Sequence, residues 1–330
     1  MKLDTYWYSH NIVSLLLTPL SWLFSLVVFF RRLGYRIGLF KTYRLPVPVI
    51  IVGNITVGGT GKTPMVAWIA LFLKNAGYSP GVISRGYGGK ASTWPQQVRS
   101  DSDPKVVGDE AVLIARHSQC PMAVGPNRVA AAKSLLDHAH CDIIISDDGL
   151  QHYALGRDIE IVMVDGIRRF GNARLLPAGP LRESKRRLGE IDFLIANSLA
   201  GPGEWLMKLV GQQAVNLQDP TIVRDLNQFQ GEEVHAVAGI GYPARFFNEL
   251  HKFGLSISEH PFPDHFPFTM EDINFHDEKP VIMTEKDAVK CMPAPGPNYW
   301  YIPVSAQMDN KFGQKLLDLL KRKGHGQKTN

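Results

Sequence analysis

Cysteine is scarce in this 330-residue sequence, which contains Cys120, Cys141 and Cys291 and no others. The three are widely spaced and form no C-x-x-C pair, which excludes a disulfide framework and a cysteine zinc site. His260 and His265 lack a third ligand nearby in sequence, so they do not indicate zinc either. Apolar residues make up 45% of the chain and charged residues 20%. This composition predicts a globular protein with an ample core. The few, widely spaced cysteines suit a reducing cytosol.

Acidic residues are nearly absent from the first hundred positions. That stretch contains eleven lysines and arginines but a single acid, Asp4, whereas the remaining residues carry a net charge of −5. Such an asymmetry indicates an N-terminal third that faces phosphates, whether those of a nucleotide, a nucleic acid or an anionic lipid.

Formal charge is missing altogether from Ile12 to Phe30. Tyr6-Trp7-Tyr8 precedes this run and a basic segment beginning at Arg31 follows it, as at a membrane interface. The run is just long enough to span a bilayer, but Pro19 and three serines favour a helix lying in the headgroup layer. A core helix of a soluble domain is the other alternative. A signal peptide is not expected, because no small-residue cleavage site follows the apolar run. We predict that residues 1–45 form a monotopic membrane-associated helix with a basic segment, and that the rest is cytoplasmic.

A glycine-rich stretch follows the first buried-strand pattern, Val49 to Val52. It ends in Gly-Lys-Thr and leads into an apolar, helix-compatible run, which is the arrangement of a phosphate-binding P-loop. Lys62 is expected to reach the β- and γ-phosphates and the Thr63 hydroxyl to bind Mg²⁺. One position departs from the usual pattern, because Thr56 stands where glycine is expected. The predicted ATP-binding residues are Thr56, Val57, Gly58, Gly59, Thr60, Gly61, Lys62 and Thr63.

Two adjacent acids end a later apolar strand, Ile143-Ile144-Ile145-Ser146-Asp147-Asp148. A buried strand that ends in aspartate is typical of a Walker B element, whose carboxylate binds Mg²⁺ directly or through water. The alternative is a strand-end turn with Asp-Gly chemistry. Which of Asp147 and Asp148 contacts the metal stays open.

Strand and helix patterns alternate after the P-loop, including strand patterns at Pro80–Ser84 and Met122–Val124 and a helix pattern at Arg128–His138. They predict an α/β fold with a P-loop NTPase-like, mostly parallel sheet sandwiched by helices, and a second, smaller α/β domain. A polar stretch from Asp219 to Glu233 places the boundary near residue 225. The expected domains are therefore 46–225, the P-loop domain, and 226–330, the smaller domain with a C-terminal tail. That tail, from Arg322 onward, is expected to be disordered.

Three further motifs have more than one interpretation. Leu176 to Glu183 is a stiff Pro/Gly loop that either positions substrate or caps a helix beside a solvated ion pair. Phe262-Pro263-Asp264-His265-Phe266 is either an acid–base element or a packed structural histidine. Thr284-Glu285-Lys286-Asp287 is similar to the base-reading element of GTPases, but its lysine is displaced by one position and it does not indicate guanine specificity.

Eight motifs occur in order along the chain, and together they closely resemble the tetraacyldisaccharide 4′-kinase family of lipid A synthesis. The resemblance extends from the N-terminal apolar helix to about residue 305. The motifs are VGNITVGGTGKTP, SRGYG, VGDE, GPNR, SDDGLQH, LPAGPLRE, FPDH and TEKDAVK.

The resemblance implies an ATP- and Mg²⁺-dependent kinase at the cytoplasmic face of the bacterial inner membrane. Its substrate would be a lipid A disaccharide precursor, phosphorylated on the 4′-hydroxyl, and its smaller domain would close over the nucleotide. It implies an anionic membrane surface as a partner, with no nucleic acid and no obligate protein partner. The implied roles are phosphate and metal binding by Lys62 and Thr63, a metal shell of Asp147, Asp148 and Glu183, a general base Asp109 assisted by His265, and lipid or phosphoryl contacts from Arg85, Tyr87, Arg128 and Arg182.

Two other classes of protein remain as alternatives. A membrane-associated switch ATPase with a deviant Walker motif would have a lysine where this chain has Val57. A nucleic-acid-dependent NTPase rests only on the basic first third of the chain, and it predicts strongly salt-dependent binding to RNA or DNA.

Overall fold

The computed structural model describes residues 4–9, 11–292 and 296–324, and its strands form two sheets. The strands are β1 (Val49–Gly53), β2 (Pro80–Ser84), β3 (Gln96–Val98), β4 (Met122–Val124), β5 (Ile143–Asp147), β6 (Ile159–Asp165), β7 (Phe193–Asn197), β8 (Trp205–Val210), β9 (Gln213–Asn216), β10 (Val223–Asp225), β11 (Glu233–Ala238), β12 (Ser256–Pro261), β13 (Val281–Thr284), β14 (Tyr299–Ile302) and β15 (Ser305–Gln307).

Helices cover both sheets. The α-helices are α1 (Asp4–Trp7), α2 (Ile12–Leu16), α3 (Thr18–Arg36), α4 (Lys62–Asn75), α5 (Pro104–Val107), α6 (Asp109–Ser118), α7 (Arg128–His138), α8 (Pro243–Lys252), α9 (Met270–Ile273), α10 (Glu285–Ala288) and α11 (Asn310–Gly324), and short 3₁₀ helices cover Lys185–Glu190 and Leu226–Phe229.

The larger sheet has nine strands in the order β15-β8-β7-β6-β1-β5-β2-β4-β3. Its central strands are parallel, and only the edge strands β3 and β15 run antiparallel to their neighbours. Apolar faces of α4, α6 and α11 pack on one side of this sheet and α7 packs on the other. These parallel strands are buried on both faces, as their uninterrupted apolar sequences require. The predicted α/β fold with a mostly parallel, helix-covered sheet is confirmed.

The strand order places β1, the strand before the P-loop, at the centre of this sheet. β1 lies between β5 and β6, and Val52 is opposite Asp147 in the register of β1 with β5. The carboxyl ends of parallel strands meet at one edge of the sheet, where ligands bind in folds of this type. The glycine-rich turn after β1 and the aspartates at the end of β5 therefore become neighbours.

The smaller sheet has six strands in the order β10-β9-β14-β13-β11-β12. The chain enters it with β9 at Gln213, before the boundary predicted near residue 225. It leaves with β14, because β15 and α11 pack on the larger sheet. The polar stretch that suggested the boundary contains β10 and a 3₁₀ turn at the edge of the second sheet, so its polarity reflects solvent exposure.

The N-terminal apolar run is divided between α2 and α3, with Leu17 at the join. Among the helices of the described residues, none combines the length and apolarity needed to cross a bilayer. The other end of the chain also differs from expectation, because Arg322 lies within α11 and the helix continues to Gly324. The rest of the predicted tail, residues 325–330, lies outside the described residues.

Candidate active site

The glycine-rich turn after β1 leads directly into the N-terminus of α4. Gly58 has φ of +99° and Gly61, the N-cap residue of α4, has φ of +86°, a region that favours glycine. A Cβ on Gly61 would lie 2.7 Å from Met207 Cε and 2.9 Å from Asn197 Nδ2. The turn is also held from inside, since the Asn54 amide donates to the Thr60 hydroxyl at 3.3 Å. A phosphate site at the N-terminus of a long helix results.

Thr56, the departure from the usual P-loop pattern, has a structural position of its own. It is buried and forms a bridge with Leu181, and the following amide, Val57 N–H, donates to Pro180 O at 2.9 Å. The Pro/Gly loop, which the sequence assigned either to substrate positioning or to a helix cap, is thus paired with the start of the P-loop. Arg182, the residue after Leu181 in this loop, reaches Asp148 just beyond the end of β5.

Asp148 is the centre of a cluster of cations. Lys62 Nζ lies 3.5 Å from its Oδ1, and Arg182 Nη1 donates to both carboxylate oxygens at 3.1 Å. Burial alone would raise the pKa of Asp148, but Lys62 and Arg182 outweigh it and bring the pKa to about 2. Asp148 is therefore ionised throughout the physiological range.

Asp147 has a different environment one residue earlier. It is 1% exposed; Ser84 Oγ donates to its Oδ2 at 2.9 Å, while its Oδ1 is buried without a partner in the described part of the chain. Burial, together with the charges of Glu110 and Asp148, raises the pKa of Asp147 to about 7. A buried carboxylate oxygen without a donor, beside an ionised carboxylate, fits a hard divalent cation.

Glu183, the fourth predicted metal ligand, is occupied by protein donors. Its carboxylate accepts hydrogen bonds from Tyr153 Oη and from Gln151 Nε2, the latter at 2.8 Å, and lies 3.8 Å from Arg187 Nε. The part of the chain that the structure describes contains no group of three His, Cys, Asp or Glu side chains arranged to hold a metal. The structure thus does not gather Asp147, Asp148 and Glu183 into a preformed site, and ligation by Glu183 stays a prediction.

Asp109 and His265 meet across the two domains. Asp109 begins α6, directly after Gly108, whose φ of +94° and close approach to Tyr87 O leave no room for a side chain. Its Oδ2 lies 3.1 Å from Nδ1 of His265, which follows β12 in the second domain. The FPDHF histidine is therefore a partner of the predicted base. The neighbouring phenylalanines Phe262, Phe266 and Phe268 do the packing.

The protonation states of this pair are coupled. Its hydrogen bond to Asp109 raises the pKa of His265, against the opposing effects of burial and of Lys286. Burial would raise the pKa of Asp109, but the bond from His265 and the charge of Lys286 lower it. Asp109 is thus an ionised acceptor in a pocket it shares with the Tyr87 ring, whose centre is 4.9 Å from that of His265.

The four predicted substrate residues divide into two pairs. Arg182 and Arg128 lie at Asp148; Arg128 is buried, donates to Asp148 O at 3.3 Å, and has a pKa lowered by burial. Arg85 and Tyr87 are exposed on the loop after β2. The structure brings the first pair to the phosphate site and leaves the second pair at its rim.

The second domain also touches the P-loop itself. The segment 239–242 follows β11, and a Cβ on Gly241 would be 3.4 Å from Gly59 N. Arg168 donates to Gly59 O at 3.0 Å and lies against the Tyr242 ring. Contact between the domains therefore occurs at the phosphate loop and at the Asp109–His265 pair.

Some site residues had no role assigned from sequence. Ser84, Glu110, Gln151 and Lys286 all contact the predicted residues or shift their pKa values. Each lies within a quoted motif, SRGYG, VGDE, SDDGLQH or TEKD, so the motifs were the available signal. The partners are distant in sequence, and spacing alone does not reveal them.

The comparisons with known proteins all indicate the same family. The family profile described as tetraacyldisaccharide-1-P 4′-kinase matches residues 13–321. The tetraacyldisaccharide 4′-kinase of Nitrosococcus oceani is 55% identical over 317 residues, which cover 96% of this chain and 94% of that protein. The enzyme of the same name from Methylobacillus flagellatus is 50% identical over 324 residues, 97% of this chain and 96% of that one.

A solved structure is also similar. It is the crystal structure of LpxK from Aquifex aeolicus in complex with ATP, which superimposes with a TM-score of 0.79 at 27% sequence identity. The superposition covers 95% of this chain and 100% of that chain.

Proposed function

The chain belongs to the tetraacyldisaccharide-1-P 4′-kinase family, and from this membership we infer that it transfers the γ-phosphate of ATP to the 4′-hydroxyl of a tetraacylated glucosamine disaccharide 1-phosphate. Within the structure, the observation that supports this inference is the proximity of two charged clusters. Lys62, Asp148 and Arg182 form the first, and Asp109 and His265 form the second. Glu110 connects them, because it follows Asp109 and its charge raises the pKa of Asp147.

Phosphoryl transfer depends on positioning and on neutralising charge, and the first cluster supplies both. The N–H groups of the glycine-rich turn and the ammonium of Lys62 would hold the β- and γ-phosphates. Thr63, Asp147 and Asp148 would hold Mg²⁺, which when bound neutralises charge on the phosphate oxygens. Arg182, already oriented by Asp148, would face the phosphoryl group as its charge spreads.

The second cluster activates the acceptor. Asp109 Oδ1 accepts the Glu110 amide at 2.8 Å and Oδ2 faces His265, which together fix the plane of the carboxylate. A sugar hydroxyl placed beside this carboxylate would pass its proton to Asp109 late in the transfer. Arg85 and Tyr87, exposed at the rim, are in a position to contact the disaccharide.

We propose that the enzyme acts at the cytoplasmic face of the bacterial inner membrane, attached by α2 and α3. In support, the outer face of these helices is apolar and exposed: Trp22 is 67% exposed, Leu23 60% and Phe30 61%. The exposed Arg31 and Arg36 follow at the end of the helix, suited to anionic lipid, whereas Arg32 pairs with Glu190. A helix of this kind lies in the interface, beside the lipid precursor that is the substrate.

The test is a kinase assay with purified protein, Mg·ATP and the tetraacyl disaccharide 1-phosphate. We expect 4′-phosphorylated product, and we expect Asp109→Ala to lower kcat by about 10²- to 10⁴-fold, the usual contribution of a general base. Asp101→Ala, an exposed aspartate on the preceding loop, is the matched control and should behave as wild type.

Two results would contradict these proposals separately. If ATP is consumed and no lipid product forms, with nucleotide-dependent dimerisation instead, the switch ATPase is the better description. If lipid product forms and Asp109→Ala retains wild-type turnover, the kinase stands but Asp109 is not its base.

A further inference from the structure

The motif Thr284-Glu285-Lys286-Asp287 forms the start of α10, which faces α6 across the domain boundary. The Thr284 side chain caps the helix by accepting Asp287 N–H at 3.2 Å. Asp287 is fully buried and accepts Gly239 N–H at 2.8 Å, at the start of the segment that covers the P-loop. The motif is therefore a structural junction, and its similarity to a guanine-reading element has no counterpart in these contacts.

Lys286 leaves this junction toward the catalytic pair. Its Nζ lies 3.0 Å from Glu110 Oε1, 3.1 Å from Asp264 Oδ1 and 3.3 Å from His265 Nε2. Burial alone would lower the pKa of Lys286, but Glu110, Asp109 and Asp264 outweigh it and raise the pKa. Lys286 is thus a protonated ammonium at neutral pH.

The contact with His265 restricts the position of the ring proton. An ammonium has three donors and no acceptor, so the ring nitrogen that faces it must offer a lone pair. Nε2 is that nitrogen, and a neutral His265 then has its proton on Nδ1. Nδ1 is the atom that lies 3.1 Å from Asp109 Oδ2, so the ring donates to the carboxylate.

We propose that Lys286 is a positioning residue for phosphoryl transfer, which holds neutral His265 with its proton on Nδ1 and aimed at Asp109. It does so while bonded to Glu110, the residue after Asp109, so one side chain fixes the ring relative to the carboxylate across the domain boundary. The catalytic part of this inference rests on the proposed function. The tautomer does not, and it can be observed without substrate.

The groups that face His265 come from four elements. Asp109 approaches from α6, Lys286 from α10, Asp264 from the histidine's own loop and Tyr87 from the loop after β2. Lys286 is the cation among them, and its charge opposes protonation of the ring. Removing that charge leaves Asp109 and Asp264 facing the ring, which favours imidazolium and frees Nε2 to take a proton.

The kinetic test compares Lys286→Met, Lys286→Arg and Glu285→Gln. We expect Lys286→Met to lower kcat by about 10- to 100-fold, the effect of a misplaced catalytic group, with KM values for ATP and lipid within about threefold of wild type. The acid limb of its pH–rate profile should move to higher pH. Lys286→Arg keeps the charge and should leave the limb in place. Glu285→Gln breaks the neighbouring interdomain contact to His117 and should leave the limb in place as well.

A shift of the limb in Glu285→Gln equal to that in Lys286→Met would overturn the proposal, because attachment of the domains alone would then explain both. An unmoved limb in Lys286→Met would overturn it too.

A second measurement does not depend on activity or on the folding of a variant. In the full-length wild-type protein with ¹⁵N-labelled histidine, NMR should show His265 as the Nδ1–H tautomer at a pH above its pKa. The Nε2–H tautomer would overturn the proposal even if the kinase assay succeeds. Failure of the kinase assay with the Nδ1–H tautomer observed would instead refute the proposed function and leave the role of Lys286 in orienting the ring intact.

Discussion

At the scale of single residues, the phosphate loop depends on glycine for two separable reasons. Gly61 and Gly77 both have positive φ, +86° and +90°. At each position this backbone conformation by itself disfavours a residue with a side chain. A Cβ on Gly61 would also collide with Met207 and Asn197, whereas a Cβ on Gly77 would meet nothing within 4 Å. The two positions form a matched pair for separating strain from collision.

We predict that Gly61→Ala abolishes ATP binding, because the collision displaces the N-terminus of α4. Gly77→Ala should lower the free energy of unfolding by about 1 kcal/mol, the cost of the left-handed backbone, and should bind ATP normally. Calorimetric titration with Mg·ATP and denaturant unfolding check the two outcomes. Equal ATP affinity in both variants would show that the close packing around Gly61 does not matter.

Contiguous motifs and contacts between distant motifs differ in how far local sequence reveals them. Lys62, Thr63, Asp147 and Asp148 lie on two contiguous strand-and-turn patterns, where local sequence fixes the local geometry. Lys286 acts on Glu110, and the two are separated by 176 positions. A contact of that kind depends on how two domains pack, which no local pattern encodes.

At the scale of secondary structure elements, α6 of the larger domain contacts the smaller domain at both of its ends. Asp109 stands at its N-terminus, and His117 near its C-terminus lies 2.8 Å from Glu285 in α10. The hydrogen bond to Glu285 raises the pKa of His117. A raised folded-state pKa contributes stability that is complete below the unfolded pKa near 6.5 and is lost as pH rises through the folded value.

We therefore predict that His117→Gln is destabilising at pH 6 and nearly neutral at pH 9. The expected fall in melting temperature at pH 6 is about 1–3 °C, as for a partly exposed ion pair in a chain of this length. Thermal unfolding of wild type and variant at both values of pH measures it. A difference that is the same at both would show that the contact does not depend on the charge of His117.

The N-terminal helices are held to the body of the protein by a polar inner face. Ser21 Oγ donates to Leu175 O at 2.7 Å and accepts the Ala178 amide at 3.0 Å, and Trp7 Nε1 donates to Pro177 O at 2.9 Å. Ser14 and Ser21 are both buried at this contact. Two of the three serines that weakened the case for a membrane span, Ser14 and Ser21, thus attach the N-terminal helices to the segment before Arg182.

Ser21→Ala should lower the free energy of unfolding by about 1–3 kcal/mol, because two hydrogen bonds are lost and the Ala178 amide is left without its acceptor. It should also raise the KM for the lipid, since the loop before Arg182 loses its support. Ser25→Ala, one turn further along α3, is the control and should be near wild type in both. Identical unfolding curves for the two variants would contradict the role of Ser21.

Local patterns predicted many elements closely. The sequence patterns at Pro80–Ser84, Met122–Val124 and Arg128–His138 coincide with β2, β4 and α7. These elements are runs of apolar or helix-forming residues with sharp ends. The break at Leu17 was not predicted, because Pro19 within the first turn of α3 is compatible with a helix start as well as with an interruption.

At the scale of the whole molecule, the proposed membrane attachment depends on the exposed apolar face of α3. Leu23 and Leu26 are 60% and 52% exposed on the same helix. We predict that Leu23→Glu combined with Leu26→Glu lowers binding to anionic phospholipid vesicles by more than about tenfold, since each leucine that enters the interface contributes about 1.5–3 kcal/mol. Vesicle co-sedimentation measures this.

The matched control is Ile222→Glu, because Ile222 is 49% exposed in the domain of the smaller sheet. Its vesicle binding should equal that of wild type. If the α3 variant still binds vesicles as wild type does, another surface is responsible for membrane attachment.

The path of the chain between domains was the part of the architecture least accessible to sequence reasoning. Ser305–Gln307 returns to the larger sheet as a three-residue edge strand, too short to show an alternating pattern. Phe312 and Leu316 then bury the following helix against that sheet. Only the packing of this helix reveals that the end of the chain belongs with its beginning.

Two neighbouring residues of α10 make contacts at two points of the candidate active site. Asp287 secures the segment that roofs the phosphate loop, and its neighbour Lys286 holds the ring that supports the proton acceptor. The segment over the phosphate loop and the His265 ring both belong to the second domain, so they would move together relative to Asp109. If the domains separated, Asp109 would lose its histidine partner, so we expect a nucleotide bound at the phosphate loop in that state to be protected from hydrolysis by water.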